Sequence, residues 1–320
     1  MGEESGVSVT IVGLGVVGTS LGLALKHSAP RVRVVGHDPD AKCVARARKL
    51  GAIDKSHWNL ISACEKAAVI VLDLPLDAVE KTLTALQHEL TEGTLIIDTC
   101  PVKRPVMEWA ARILPETVQF IGGHVVLRRS SVGMAEPSAE LLKGAAFCLV
   151  VPERTNAGAL DMASNLAVAV GATPLYVDAL EHDGLVAAAS QLPVMAALAT
   201  VNAVRESSGW RDRARLIGED LSAVGSILIN MSAATAEGVL SNADNVLHWL
   251  DAYTLELTRL RKLISQGDHS HLGKLLKEAR ETCLEWLSGE EARRPEAPKQ
   301  QKENVWRSLF LGGLGGRWPR

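Results

Sequence analysis

The sequence predicts an α/β N-terminal half built on a parallel sheet, followed by an all-α C-terminal half. Short β-branched runs alternate with helical patterns up to Asp178, and no convincing strand pattern follows that residue. The strand segments are continuously apolar, which is typical of a parallel sheet covered by helices on both faces. The 320 residues are 47% hydrophobic but only 4% aromatic, and this composition favours helices and buried parallel strands over a β-sandwich.

The elements of the first half follow from these patterns in chain order. Strands are predicted at 7–12, 31–36, 67–72, 94–98, 119–122, 146–151 and 173–177. Helices are predicted at 19–26, 40–50, 77–90, 102–114 and 155–170. Gly51 and Gly171 follow two of these helices and mark their ends, because glycine readily takes the left-handed conformation that closes a helix.

Three segments are expected: an N-terminal domain over 1–178, a helical domain over 179–287 and a disordered tail over 288–320. Within the helical domain, 184–204 and 221–236 carry almost no charge, and such helices must be buried on most faces. A domain of about 110 residues has little interior to hide both. Either a dimer interface or neighbouring helices of the same chain therefore cover them, and the sequence leaves both alternatives open.

Composition and charge exclude several classes of protein. The net charge of −3 argues against a nucleic-acid binder. The five cysteines are scattered without a CxxC pair, so neither a disulfide framework nor a metal site is expected, and a cytoplasmic location is the simplest. The acidic start of the chain does not resemble a signal peptide. The uncharged stretch 184–204 has the length of a membrane span, but Gln191, Pro193 and Asn202 favour a helix buried in protein.

A glycine-rich loop joins the first predicted strand to the first helix. It comprises Gly13, Leu14, Gly15, Val16, Val17 and Gly18. The first glycine permits a tight turn, the second lets the backbone approach a pyrophosphate, and the third lets helix and strand pack closely. Asp38 lies 20 residues beyond Gly18, at the end of the second strand. Its carboxylate can accept hydrogen bonds from ribose hydroxyls and would repel a 2′-phosphate, so the sequence predicts NAD as cofactor, with NADP disfavoured.

Three further features follow predicted strands at the edge where the nicotinamide would lie. Pro75 follows strand 67–72, Asp98 ends strand 94–98, and His124 follows strand 119–122 after a pair of glycines. We expect Pro75 and Asp98 to line the cofactor crevice. Oxidation of an alcohol requires a group that takes the hydroxyl proton, and His124 is the candidate base. The alternative is a histidine that caps a strand end.

Seven segments of the chain resemble the prephenate and arogenate dehydrogenase family. They are GLGVVGTSLGLALK (13–26), DTCPVK (98–103), FIGGH (120–124), LLKGAAFCLVVP (141–152), GATPLYVDALEHD (171–183), SQLP (190–193) and GWRDRAR (209–215). The resemblance implies a Rossmann-like N-terminal domain and a helical C-terminal dimerisation domain. It also implies tyrosine biosynthesis by oxidation of the ring hydroxyl of prephenate or arogenate, in which loss of CO₂ yields 4-hydroxyphenylpyruvate or tyrosine.

The resemblance also implies roles for individual residues. His124 matches the catalytic histidine that accepts a hydrogen bond from the ring hydroxyl. Arg215 matches the arginine that holds a substrate carboxylate, and a planar two-pronged donor suits that anion. Arg211 belongs to a neighbouring basic–acidic pair, His182 to a His-Asp pair that opens a long helix, and Gln191 to the substrate-side segment. Arg211, His182 and Gln191 are therefore predicted, with Arg215, to bind a small anionic substrate.

The substrate half departs from the pattern of that family. Pro101 stands where the family usually has a serine that supports the catalytic histidine, and Gln191 and Val194 stand where it has histidines. Three functions consequently remain open: a prephenate or arogenate dehydrogenase, a related NAD-dependent dehydrogenase of another anionic hydroxy acid, and an inactive NAD-binding dimer. In each of them the expected protein partner is a second copy of the chain.

Overall fold

An eight-stranded sheet forms the centre of the N-terminal half in the computed structural model, which describes residues 7–127, 136–206, 209–229, 231 and 235–292. Its strands are β1 (Ser8–Val12), β2 (Arg33–His37), β3 (Lys55–Ser56), β4 (Val69–Leu72), β5 (Leu95–Asp98), β6 (Gln119–Val126), β7 (Ala146–Val150) and β8 (Thr173–Tyr176). They lie in the order β3-β2-β1-β4-β5-β6-β7-β8. The chain therefore reverses its winding direction between β1 and β4, where ligands of open α/β sheets bind.

Helices cover both faces of this sheet, as the sequence predicts. They are α1 (Val16–Ser28), α2 (Ala41–Lys49), α3 (Leu60–Cys64), α4 (Leu76–Leu86), α5 (Arg104–Ile113) and α6 (Ala157–Ala169). One buried apolar cluster joins α1 and α6 to the sheet, and a second joins α3, α4 and α5 to it. Burying the strands between two helical layers explains their continuous apolar sequences.

The sheet differs from the prediction at two places. It is mostly parallel, but β6 and β7 pair antiparallel, with His124 directly opposite Cys148. That pairing extends β6 to Val126 rather than to residue 122, so His124 lies within a strand and not in a loop after it. The short β3 and α3 were not predicted, because a two-residue strand is defined by its pairing with Val35 and Gly36 and not by a local pattern.

The C-terminal half is helical, and no strand follows β8 in the part of the chain that the structure describes. Its helices are α7 (Ala179–Val186), a π-helical turn (Ala187–Gln191), α8 (Leu192–Glu206), α9 (Trp210–Ala214), α10 (Glu219–Ile229), α11 (Thr235–Leu240), α12 (Ala243–Ser265) and α13 (His269–Ala292). The last helix continues beyond residue 287 into the segment expected to be a tail. The rest of that expected tail, 293–320, lies outside the described residues.

Large apolar side chains of the uncharged helices face outward. In α8 only Ala197 is buried, and α10 has no buried residue. Leu185 is 56% exposed, Leu198 41% and Ile229 73%. Neighbouring helices of the same chain therefore leave these faces uncovered, which favours the interface alternative.

The continuous helix from Ala179 to Glu206 also has the length and the mean hydropathy, 1.6, of a candidate membrane span. Its first two turns contain His182 and Asp183, and Asp183 binds the backbone amides of Lys103 and Arg104 in the N-terminal half. This end of the helix is consequently packed into protein and carries an ionisable pair, which a lipid environment disfavours.

Candidate active site

The glycine loop between β1 and α1 forms a cradle that side chains would fill. Gly13 has a φ of 95°, and a Cβ there would lie 2.0 Å from the carbonyl oxygen of Asp73. A Cβ on Gly18 would lie 2.1 Å from the oxygen of Gly13. Asp38 fixes the loop from the second strand, because its Oδ2 accepts a hydrogen bond of 2.7 Å from the backbone N–H of Leu14. The cradle at the N-terminus of α1 fits a dinucleotide phosphate, as the sequence predicts.

Asp73 is a residue of this site that the sequence analysis missed. It follows β4 directly, and its carboxylate accepts hydrogen bonds of 2.7 Å from the N–H of Gly18 and from the hydroxyl of Thr99. Burial raises the pKa of Asp73 above its ordinary value, although both hydrogen bonds oppose that shift. The signal was an acidic residue at the end of a wholly apolar strand, two residues before Pro75. Pro75 itself is exposed and precedes α4.

Asp98, predicted to contact the cofactor, instead forms a fully buried ion pair with Lys103. Its carboxylate also accepts hydrogen bonds from the N–H groups of Cys100 at 2.9 Å and Gly123 at 3.0 Å. The ammonium of Lys103 donates a second hydrogen bond, of 2.6 Å, to the carbonyl of Gly123. Asp98 is thus enclosed by protein donors, and its pair with Lys103 fixes the backbone immediately before His124. Contact of Asp98 with the cofactor stays a prediction.

His124 is the first member of a chain of three side chains. Its Nδ1 lies 3.0 Å from Nε2 of His182, and Nδ1 of His182 lies 2.9 Å from a carboxylate oxygen of Asp183. An ionised carboxylate only accepts, so His182 donates through Nδ1, and a neutral His182 ring accepts through Nε2. His124 then donates through Nδ1, and its Nε2 has no hydrogen-bond partner among the residues that the structure describes. This arrangement follows the logic of a base that is oriented by a second group and an anion.

The ionisation of these groups is set by burial and by their neighbours. Burial, followed by the nearby His182 and Lys103, lowers the pKa of His124 to about 3, so its ring is neutral at physiological pH. Burial alone would raise the pKa of Asp183, but hydrogen bonds from His182 and from the backbone of Arg104 and Lys103 hold it below its ordinary value. The hydrogen-bonded series therefore connects an anion, Asp183, through His182 to a neutral ring, His124.

Asp183 also joins the two halves of the molecule. It accepts hydrogen bonds from the backbone N–H groups of Lys103, at 2.7 Å, and Arg104, at 2.9 Å. The guanidinium of Arg104 reaches further, to the carboxylate of Asp244 at 2.5 Å and the amide oxygen of Asn242 at 3.0 Å. Helices α7 and α12 are thus attached to the start of α5, and the position of Asp183 does not depend on one contact.

Two residues predicted to bind substrate are used inside the protein. His182 is buried, and both its ring nitrogens are engaged in the chain described above. Gln191 is buried as well; its amide donates to the carbonyl of Gly238 at 2.9 Å and accepts from the side chain of Asn242 at 2.8 Å. His182 thus holds Nδ1 of His124, and Gln191 ties the π-helical turn to the neighbouring helices. Contact of either side chain with the substrate stays a prediction.

The two predicted substrate arginines lie elsewhere, on and directly after α9. Both Arg211 and Arg215 are exposed, and the side chain of Arg215, 82% exposed, lies 3.9 Å from the carboxylate of Asp212. Among the residues that the structure describes, no hydrogen bond or ion pair joins either arginine to His124 or His182. Their role in substrate binding stays a prediction.

Comparison with known proteins covers both halves of the chain. Residues 21–176 match the family described as prephenate dehydrogenase, nucleotide-binding domain. Residues 178–278 match the family described as prephenate dehydrogenase, dimerization domain. The chain belongs to the prephenate dehydrogenase family. Both matches confirm the resemblance and the predicted fold class. They assign the chain to an oxidoreductase family with a nucleotide-binding domain. The description of the second match also associates the helical half with self-association.

Members of the prephenate dehydrogenase family are similar to this chain over most of its length. A prephenate dehydrogenase of Bacillus subtilis is 27% identical over 276 residues, which cover 86% of this chain and 74% of the relative. A cyclohexadienyl dehydrogenase of Zymomonas mobilis is 27% identical over 282 residues, which cover 86% and 94%. The structure of a prephenate dehydrogenase from Aquifex aeolicus, in complex with hydroxyphenyl propionate and NAD⁺, has a TM-score of 0.78 at 23% identity and shares the fold over 88% of this chain and 98% of that one.

Proposed function

We propose that this chain is an NAD-dependent prephenate or arogenate dehydrogenase. One observation carries the proposal: Nδ1 of His124 is engaged by Nε2 of His182, whose other nitrogen is held by Asp183, so Nε2 of His124 is the nitrogen left for the substrate hydroxyl. It lies one residue beyond Gly123, whose N–H binds Asp98 at the carboxyl end of β5. Cofactors of open α/β sheets bind at that edge. The Bacillus and Zymomonas relatives, which bear names of this activity, support the same substrate class.

The residues of this chain account for the proton and the charge in that reaction. NAD⁺, when bound in the glycine cradle, supplies the acceptor for the hydride from the ring carbon. Nε2 of His124 takes the hydroxyl proton as the carbonyl forms, and the positive charge that develops on its ring is stabilised through His182 by Asp183. The bond from the ring to its carboxylate then breaks and CO₂ leaves. The bonding electrons pass through the ring to the carbonyl oxygen, which takes a proton back from His124, and the ring becomes aromatic.

Assays of NAD⁺ reduction with prephenate and with arogenate test the proposal. Turnover with one of them is expected, with 4-hydroxyphenylpyruvate or tyrosine as the product. Measurable NAD⁺ binding without turnover of either substrate would contradict it. Pro101, which lacks the family's hydroxyl, and the engagement of Gln191 inside the protein favour the next candidate, a dehydrogenase of another anionic hydroxy acid. An inactive NAD-binding dimer is the remaining alternative.

The preference for NAD over NADP is part of this proposal and rests on Asp38. Asp38→Asn keeps an oxygen for the N–H of Leu14 but removes the charge that would repel a 2′-phosphate. We expect the ratio of kcat/KM with NADP to that with NAD to rise about tenfold or more. Asp161→Asn, which removes the same charge from the exposed side of α6, is the matched control. Equal turnover of both cofactors by the unmodified protein would show that Asp38 does not discriminate between them.

Arg215 is proposed to hold a carboxylate of the substrate. Arg215→Ala should raise KM for the substrate by about tenfold to a hundredfold and change kcat little, because a two-pronged charge-assisted contact is lost from the ground state and the transition state alike. Steady-state kinetics at saturating NAD⁺ measure this. Arg259→Ala on α12 removes an exposed arginine of the same kind and should leave KM unchanged. An unchanged KM in the Arg215→Ala protein would contradict a role of Arg215 in substrate binding.

The proposal includes a homodimer formed through the uncharged helices, the domain division at residue 178 and a cytoplasmic location. All five cysteines are free, as expected in a reducing compartment. Light scattering at micromolar concentration should give the mass of a dimer. A variant with glutamate in place of both Leu185 and Leu198 should be a monomer, because dimerisation would bury the two new charges without a partner. A monomeric mass for the unmodified chain would contradict the interface.

A further inference from the structure

A third side chain faces the two histidines of the site. Cys148 lies on β7 directly across the antiparallel ladder from His124 on β6, and His182 reaches the same point from α7. One ligand atom from each of the three lies within 4.8 Å of the other two. The steps proposed above make no use of the Cys148 thiol, which is buried. Three elements thus bring one sulfur and two ring nitrogens together.

The donor set and its spacing suit a zinc ion. Thiolate and imidazole are the ligands that Zn²⁺ prefers in proteins, at about 2.3 Å for sulfur and about 2.0–2.1 Å for nitrogen. Tetrahedral angles then require about 3.3 Å between the two nitrogens and about 3.6 Å between sulfur and nitrogen. The facing nitrogens of His124 and His182 are 3.0 Å apart. Side-chain rotations that move the donor atoms by about one ångström would bring the set to this geometry.

The surroundings supply what such a site needs beyond its ligands. Asp183 accepts the Nδ1–H of His182, so Nε2 of that ring is directed into the cluster; a carboxylate behind a metal-binding histidine commonly has this role. Two positive charges of Zn²⁺ would be balanced by the thiolate of Cys148 and the carboxylate of Asp183. The other nearby cation, Lys103, is already neutralised by Asp98. His124 is the partly exposed member, so an ion would arrive from the side of the proposed active site.

We propose that His124, His182 and Cys148 form a reversible Zn²⁺ site that switches off the base. Binding releases the thiol proton of Cys148 to solvent, and the single N–H proton of the neutral His124 ring moves from Nδ1 to Nε2. The lone pair on Nε2 that would accept the hydroxyl proton is thereby lost. The fourth position of the ion remains open, as in a site with three protein ligands. Binding of the ion is independent of the proposed function, whereas the inhibition rests on it.

Titration of the full-length protein with Co²⁺, a spectroscopic substitute for zinc, tests the binding. We expect a near-ultraviolet thiolate-to-cobalt charge-transfer band that added Zn²⁺ removes. Cys64→Ala, which truncates another buried cysteine, should keep the band, and Cys148→Ala should abolish it. Cys148→Ser, with a far-ultraviolet spectrum and Tm compared with those of the unmodified protein, separates loss of a ligand from loss of the fold. No band in the unmodified protein, or a band that persists in a folded Cys148 variant, would overturn the proposal.

The effect on turnover is measured with the active substrate. Zn²⁺ should inhibit the unmodified protein and the Cys64→Ala variant alike, and a chelator should restore the rate. The concentration for half-inhibition should rise at least about tenfold in Cys148→Ala, since one of three ligands is missing. Equal sensitivity of both variants would overturn the switch. If neither prephenate nor arogenate is turned over, the Co²⁺ titration still decides the binding, so failure of the proposed function and failure of the zinc site are distinguishable.

Discussion

Replacement of His124 by asparagine is expected to lower kcat by about 10²–10⁴-fold, the usual contribution of a positioned general base. An asparagine can still donate to Nε2 of His182, but it offers no basic nitrogen to the substrate hydroxyl. Since the hydroxyl proton is transferred in the transition state, KM should change far less than kcat. Initial rates at varied substrate and saturating NAD⁺ measure both constants.

The control for this variant is His88→Asn, which changes an exposed histidine two residues after the end of α4. It should retain the kinetics of the unmodified protein. A His124→Asn protein with an unchanged kcat would remove His124 from the chemistry and favour its alternative role as a residue that ends a strand. An unchanged Kd for NAD⁺ in both variants would show that the loss lies in the reaction and not in the glycine cradle.

The largest loss of stability is expected from Asp98→Ala. Both Asp98 and Lys103 are fully buried, so the substitution leaves an ammonium in the interior with the carbonyl of Gly123 as its remaining partner. Removal of one partner of a buried ion pair typically lowers the free energy of unfolding by about 3–5 kcal/mol. Urea denaturation followed by circular dichroism measures that change.

A double replacement separates the free-energy cost of an unpaired buried charge from the cost of losing the side chain itself. Asp98→Leu with Lys103→Met removes both charges and should recover a large part of the stability, because apolar substitutes for a buried pair are often neutral or stabilising. Asp161→Ala removes an exposed carboxylate and should change the free energy of unfolding by less than about 0.5 kcal/mol. A loss below about 1 kcal/mol in Asp98→Ala would show that Lys103 finds another partner.

The cofactor half was predictable because its determinants are close together in sequence. The tight turn at Gly13, the packing at Gly18 and the acidic end of β2 each follow from residues within one strand–helix–strand unit. Asp73 was missed for the opposite reason. Its side chain contacts Gly18, which is 55 residues away, and Thr99, which is 26 residues away. No local sequence pattern predicts these contacts.

The helical half was predictable in class and less so in detail. Its lack of charge indicated helices with apolar faces that need a cover, and the exposure of Leu185 and Ile229 in the single chain favours an interface as that cover. The resemblance placed His182 and Gln191 at the substrate. Both side chains instead satisfy buried polar groups of the protein, which is the requirement that a buried residue must meet first.

By itself the sequence determined the α/β and α halves and the glycine-rich cradle, and it singled out His124 as the candidate base. Tertiary structure decided what surrounds that base. The antiparallel register of β6 and β7 puts Cys148 opposite His124, and the docking of α7 brings His182 from 58 residues away with Asp183 behind it. Side chains from three separate elements meet only when the core packs, since packing alone fixes distances between residues far apart in sequence.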